Sequence, residues 1–168
     1  EFWLSKTPEI HRSKNWDSAF PRMLSTAMVE DVKSSQLFSV AVTHLDHMGQ
    51  SARVEQSKII ARWINNQPGA VILMGDFNDG PDSETHAVLA NESTGLLDSW
   101  QTLHRPEGEK SFTHHAFTGT PQKSRIDWIL TTVPPYVEEV RIVHDRFDGR
   151  YASDHFPYYA DLTWEVPG

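Results

Sequence analysis

Three stretches of the chain carry polar residues of the kinds that bear charge and move protons, each set against an apolar run. The first is Gly75-Asp76-Phe77-Asn78-Asp79-Gly80-Pro81, which follows the run Ala70 to Met74. Alternate side chains of a strand share a side. Extended geometry carried past Gly75 would therefore point Asp76 and Asn78 the same way, one a charge and the other a neutral donor and acceptor. Gly-Asp and Asn-Asp-Gly also form turns, and this stretch alone leaves both readings open. The second stretch, Ser124 to Leu130, sets Asp127 between Ile126 and Trp128 in a strand interior, where an unpaired carboxylate is costly to bury. The third, Tyr151 to Leu162, brings Asp154 and His155 directly before a strand. A histidine beside a buried aspartate gains a fixed tautomer and a more basic ring. Singly, each has a plain structural version: Asp127 could accept backbone hydrogen bonds, and Asp154 could cap a turn.

The elements that must position these residues follow from periodicity. The opening 23 residues have turn chemistry at Thr7-Pro8 and at Ser13 to Asn15 with no sustained period, which predicts irregular chain with short strand pieces. Residues 37–45 alternate and are rich in β-branched and aromatic types, as a strand requires. In residues 50–66, Ile59, Ile60, Trp63 and Ile64 recur at helical spacing, and Asn66, Pro68 and Gly69 close the helix. A fully apolar strand follows at 70–75, completing a βαβ-like unit whose strand ends are natural places for site loops. A short helix is expected at 83–90, with Asp82 or Ser83 as its N-cap. Residues 111–117, 124–131, 138–144 and 155–166 read as strands between polar loops. The economical architecture is a β-sandwich layered with helices, with an α/β fold as the alternative.

Composition narrows the function classes. With 168 residues, 38% hydrophobic content and six tryptophans, the chain can bury one sizeable core, so a single domain is expected. A net charge of -8 works against indiscriminate nucleic-acid binding, which depends on clustered Lys and Arg. The absence of cysteine excludes disulfides and thiolate zinc sites. No apolar stretch approaches the roughly 20 residues of a membrane-spanning helix, and nothing at the start resembles a secretion signal. The first residue is Glu1 rather than Met, so a processed or shortened chain is expected.

Taken together, the motifs resemble the endonuclease/exonuclease/phosphatase family of metal-dependent phosphoesterases, which includes pancreatic-type DNases, abasic-site endonucleases, deadenylases and inositol-phosphate phosphatases. The resemblance rests on an ordered set: Thr43-His44-Leu45, Ile72 to Asn78, Arg125 to Leu130, and Ser153 to Pro157. It implies a DNase I-like four-layer α/β sandwich, two sheets face to face with helices outside. It also implies roles. His155 would contact a non-bridging phosphate oxygen and counter the charge that grows there, and Asp127 would hold its far nitrogen. Asp76 would orient or deprotonate the attacking water, and Asn78 would hold that water or a phosphate oxygen. Asp154 belongs near the divalent cation, and His44 matches a histidine that touches the scissile phosphate in the DNase branch. Two carboxylates about 4 Å apart repel by roughly 4 kcal/mol at an effective dielectric of about 20. Asp76 and Asp154 converging on one pocket would therefore bind a metal or raise a pKa. Oxygen ligands favour Mg²⁺ or Mn²⁺ over Zn²⁺.

The family pattern begins with an Asn near the end of its first strand and a Glu in a Gly-Leu-Gln-Glu-like sequence, the principal metal ligand. Neither motif is present in this sequence. The resemblance starts in mid-domain, at Phe2 to Pro8, and runs to the C-terminus. Residues 1–168 are thus expected to form the C-terminal part of one domain. One sheet should lack strands and leave an apolar face and an open edge, which the missing N-terminal half or another chain could cover. Such a half could instead serve as an inactive binding or assembly module. The expected substrate is a phosphate ester: a small molecule, a lipid head group or nucleic acid, with the acidic charge tilting toward a small ester. His44, Asp46 and His47 also fit half of a metallo-β-lactamase-type zinc motif, although Val42 stands where that motif has its preceding His. His114 and His115 in a strand would project to opposite faces and not chelate one ion. Lys110, Lys123 and Arg125 could line a groove or be solvated. Arg53, on the helix, and the tryptophans are assigned to structure.

Overall fold

Strand and helix patterns alternate along the chain, and the computed structural model, which describes residues 1–165, realises them in the order β1 (Phe2–Trp3), β2 (Met23–Glu30), β3 (Leu37–His44), α1 (Gln50–Ile64), β4 (Ala70–Asp76), α2 (Glu84–Leu89), β5 (Leu97–Asp98), α3 (Ser99–Thr102), β6 (Asp127–Thr131), β7 (Tyr136–Ile142) and β8 (Tyr158–Thr163). A single 3-10 turn covers Glu109–Ser111. Six strands form one sheet in the order β1-β2-β3-β4-β6-β5, and β7 pairs with β8 in a second. β3 and β4 run parallel, joined by α1, whereas β6 lies antiparallel on the other side of β4.

Alternation divides the large sheet into two faces. Ala41, Val71, Leu73, Trp128 and Leu130 join Ile60 and Ile64 of α1 and Leu89 of α2 in the main core. A second core packs Trp100 of α3 against Val140, Ile142 and Phe156 beside the small sheet. Helices α1 and α2 cover one face of the large sheet, and α3 packs where the large and small sheets meet, an α/β sandwich. The large sheet's other face is only partly covered: Val42 is 46% exposed, and Val40, Met74 and Ile129 are half-buried. No helix among the described residues is long and apolar enough to cross a membrane.

The structure departs from the periodicity reading in several places. β2 was not legible because its Leu24 alone is buried, while its backbone pairs with β3 from Leu24↔Thr43 to Glu30↔Leu37. Residues 111–117 are not a strand. The backbone N–H groups of His115 and Ala116 both donate to the Asp154 carbonyl at 2.8 and 3.1 Å, and Ala116 and Phe117 take positive φ. Asp127 opens its strand rather than lying within it. The expected final strand spans only Tyr158–Thr163, and its last expected residue, Val166, lies outside the described residues.

α1 has no N-cap side chain of its own, since Gly49 occupies that position. Asp17 caps it from a distance, accepting the N–H of Ala52 at 2.6 Å and of Ser51 at 3.3 Å. A Cβ on Gly49 would stand 2.5 Å from the Asp17 carbonyl, so glycine is what lets the two segments meet.

Candidate active site

The register of three strands builds the site. His44 pairs with Asp76 across β3 and β4, and Asp76 pairs with Asp127 across β4 and β6, so the three residues form a row at one end of the sheet. His44 Nε2 lies 3.3 Å from Asp76 Oδ2. His155, from the chain entering β8, completes the group: its Nδ1 is 2.7 Å from Asp127 Oδ2, and its Nε2 is 3.9 Å from Asp76 Oδ2. A cavity lined by Met74, Asp76, Asp127, Ile129, Phe156 and Tyr158 lies beside them.

The order of residues in the Gly75 to Pro81 segment follows from packing. A Cβ on Gly75, whose φ is +146, would lie 1.9 Å from the Thr43 carbonyl, so only glycine lets β4 approach β3 there. Phe77 is fully buried and stacks on Trp128 with ring centres 4.4 Å apart, which anchors the turn. Asn78 adopts φ +53 after the strand has ended at Asp76, so extended geometry does not carry through to it. Its N–H donates to Asp76 Oδ1 at 2.8 Å and its Nδ2 to the Leu45 carbonyl at 3.0 Å. Asn78 thus ties the β3 and β4 loops together and aims the Asp76 carboxylate. Arg53 adds a second tie, with Nε 3.1 Å from Asp79 and Nη1 3.1 Å from the Asp46 carbonyl.

The electrostatics follow from this crowding. Burial, and then the facing Asp127 charge, push the Asp76 carboxyl above its ordinary value against the pull of the Asn78 N–H and the two histidines. The hydrogen bond that His155 donates to Asp127 raises the ring's pKa against desolvation, so the ring favours its protonated form. Desolvation lowers His44, with Asp76 opposing it.

Asp154 takes a different place from the one expected. The donor atoms of Asp76, Asp127 and His155 lie within 4.8 Å of one another, whereas Asp154 groups with His114 and His155. The sequence predicts convergence of Asp76 and Asp154, whereas the carboxylates that the structure sets face to face are Asp76 and Asp127, because β4 and β6 pair them directly. His114, set aside in the sequence on the assumption of a strand, comes beside His155 with ring centres 5.1 Å apart.

The zinc-motif reading of His44, Asp46 and His47 does not survive. Asp46 is fully buried and accepts the N–H groups of Phe20, Met48 and Gly49, with Arg22 3.6 Å away, while His47 stacks on Phe20. Burial favours the neutral Asp46 acid, but these backbone donors prevail and hold its pKa far below the carboxylate range. Arg125 neither lines a groove nor meets solvent. It is fully buried, with Nη2 2.9 Å from Asp98 and 2.6 Å from Glu107. Asp98 also meets His86 Nε2 at 2.8 Å. Arg125 lies two residues before Asp127, which is the sequence signal that could have placed it in the site's support.

A carboxylate pair at strand ends, with a histidine bound to one of the two aspartates, thus sits at one edge of an α/β sandwich. The profile of the Endonuclease/Exonuclease/phosphatase family matches residues 12–155, and the chain belongs to that family. An endonuclease/exonuclease/phosphatase family protein of Bacteroides thetaiotaomicron superposes with TM-score 0.84 at 26% identity, over 99% of this chain and 64% of its own. A mannosyl-6-phosphatase of the same organism gives TM-score 0.83 at 27% identity, over 96% and 64%. TDP2 of D. rerio, complexed with a single-stranded DNA product, shares the fold with TM-score 0.71 at 23% identity, over 86% and 62%. The chain therefore spans about two thirds or less of the length of these relatives. No curated protein sequence matches it significantly.

Proposed function

We propose that the protein is a divalent-metal-dependent phosphoesterase that hydrolyses a small phosphate ester by in-line attack of water. The observation that carries this reading is the row His44, Asp76, Asp127 joined to His155 through the 2.7 Å contact with Asp127. Asp76, its proton affinity raised by burial and by Asp127, orients the attacking water and accepts its proton. Protonated His155 donates through Nε2 to a non-bridging phosphate oxygen, while Asp127 holds Nδ1 and keeps the ring charged. His44 is exposed next to Asp76 and offers a neutral donor to the same phosphate. Asn78 acts by holding Asp76 rather than by taking the water itself, since its N–H and Nδ2 are engaged. The P–O bond to the leaving group breaks as the water oxygen bonds to phosphorus, and the leaving oxygen takes its proton from solvent.

The donor set fits a hard cation. Opposed oxygens of Asp76 and Asp127 suit Mg²⁺ or Mn²⁺, which keep several water ligands. When bound, such an ion neutralises charge on the phosphate. Asp154 stands at the edge of this group, on the His114 side. Residues 1–168 make up the C-terminal part of the family domain in this reading. The half-covered face at Val40, Val42, Met74 and Ile129 then receives strands from the remaining portion, supplied by the same or another chain. The mannosyl-6-phosphatase relative and the net charge of -8 favour a phosphorylated small molecule over duplex DNA.

The test is phosphate release from mannose 6-phosphate and cleavage of a dinucleotide. Both are measured on the chain supplemented with the upstream third of the Bacteroides thetaiotaomicron relative, with Mg²⁺ or EDTA. Asp76→Asn and His155→Ala should each lower turnover by about 10² to 10⁴. EDTA-resistant turnover, or none on either substrate, overturns the reading.

A further inference from the structure

The second group of metal-competent side chains, His114, Asp154 and His155, has no part in the proposed hydrolysis beyond His155. Its backbone is tightly fixed. The N–H groups of His115 and Ala116 donate to the Asp154 carbonyl at 2.8 and 3.1 Å, Phe156 N–H donates to the Thr113 carbonyl at 2.7 Å, and His114 bridges His155 in antiparallel register. The two chain segments that carry the three candidate ligands are therefore fixed against each other. The two imidazoles meet edge to face at 78°, with ring centres 5.1 Å apart. Their candidate nitrogens and the Asp154 oxygen lie within 4.8 Å of one another. All three residues are half-buried.

Two further features point to a ligand. His114 Nδ1 is buried and has no hydrogen-bond partner among the described residues, so a lone pair or a proton there is unsatisfied. His155 has Nδ1 bound to Asp127, which leaves Nε2 as its donor atom. A carboxylate on the far nitrogen is the outer-shell arrangement that orients metal-binding histidines and makes them better ligands.

We propose that His114, Asp154 and His155 form a second cation site, selective for a nitrogen-preferring transition metal of the Zn²⁺ class. Two imidazoles and one carboxylate match the ligand types of three-coordinate protein zinc sites with an open fourth position, and they differ from the oxygen pair Asp76 and Asp127 that suits Mg²⁺. Ligand bonds of about 2.0–2.1 Å place neighbouring donors roughly 3–3.5 Å apart, so the three donors must draw together when the ion binds. Occupancy takes the Nε2 lone pair of His155, so the same ring can no longer donate to phosphate. On the hydrolytic reading above, the site is then inhibitory.

The binding itself does not depend on that reading, and the experiment separates the two. The purified chain is titrated with Zn²⁺ and with Mg²⁺ by calorimetry, alongside His114→Phe, Asp154→Asn and Asp76→Asn, each checked for an unchanged thermal melt. His114→Phe keeps an aromatic ring against His155 while removing the ligand. One Zn²⁺ per chain is expected, resistant to millimolar Mg²⁺. Its affinity should fall at least about 100-fold in His114→Phe and Asp154→Asn, because loss of an outer-shell partner alone costs 10–100-fold. Asp76→Asn should leave it unchanged. Equal Zn²⁺ affinity in His114→Phe and the parent, or loss of binding only in Asp76→Asn, overturns the site. Where the supplemented chain hydrolyses a phosphoester, Zn²⁺ should inhibit the parent and spare His114→Phe. Binding lost in His114→Phe with no hydrolysis by the parent leaves the metal site standing and counts against the phosphoesterase reading alone.

Discussion

Replacing Arg125 with methionine tests whether the segment leading to Asp127 is held by a buried ion cluster. The guanidinium is fully buried, and one nitrogen reaches both Asp98, at 2.9 Å, and Glu107, at 2.6 Å. Methionine fills part of the volume but leaves the fully buried Asp98 carboxylate without its cation. Breaking a buried pair by removing one partner typically costs about 3–5 kcal/mol. Asp98 keeps His86 at 2.8 Å and the Trp100 N–H at 2.9 Å, which places the expected loss at the low end, about 3 kcal/mol. Glu107 is 35% exposed and adds little. For a chain of this size the melting temperature should fall by roughly 6–12 °C.

Burial pushes the Asp98 acid up, but the His86 hydrogen bond and the Arg125 charge outweigh it and hold the pKa below the ordinary carboxylate value. A depressed folded-state pKa stabilises the fold above the unfolded value of about 3.9 and loses that contribution as pH falls through the folded value. In Arg125→Met the folded-state value moves up toward the unfolded one, so the acid-induced loss that Asp98 contributes should be smaller. Urea unfolding at neutral pH and thermal melts from pH 7 to pH 3 read both effects, and Asp98→Asn with Arg125→Met should recover part of the neutral-pH loss. A destabilisation under about 1 kcal/mol at neutral pH would refute the argument, because it would mean that Asp98 had been repaired by solvent or had taken a proton.

Asp127→Asn removes the contact that keeps His155 basic, so the His155 titration midpoint, followed by NMR, should move down from its raised position; no movement would sever the pair. Gly75→Ala forces a Cβ toward the Thr43 carbonyl in a φ region that L residues avoid, and should cost about 1–3 kcal/mol or more by urea unfolding. The 168-residue chain assayed alone should hydrolyse a generic phosphodiester poorly, with activity rising when the remaining portion of a family domain is supplied; robust metal-dependent turnover by the chain alone would show that its own carboxylates complete the site.

Strong local patterns made much of the fold legible. β3, α1 and β4 carry dense periodicity because each buries one face in the main core, and Ser83 caps α2 with a hydrogen bond to the His86 N–H at 3.2 Å. The family resemblance singled out Asp76, Asp127 and His155, since these residues stand directly beside apolar strand signals. β2 left little trace because it is held by backbone pairing, which any side chain permits. The same holds for residues 111–117, whose strand-like composition yields to two N–H groups converging on one carbonyl.

By itself the sequence determined which residues could do chemistry and that they stand beside apolar strand segments. Tertiary structure alone decided their grouping. Whether Asp76 faces Asp127 or Asp154 depends on the register of β4 against β6, and a slip of one residue would turn each side chain to the opposite face. Burial of Arg125 depends on Asp98 and Glu107, 27 and 18 residues away along the chain. The meeting of His114 with Asp154 and His155 depends on three backbone hydrogen bonds between segments about forty residues apart. Local propensity reads the near neighbours of a residue, while the partners that set charge, proton affinity and ligand geometry come from distant segments and are chosen by the packing of the whole sheet.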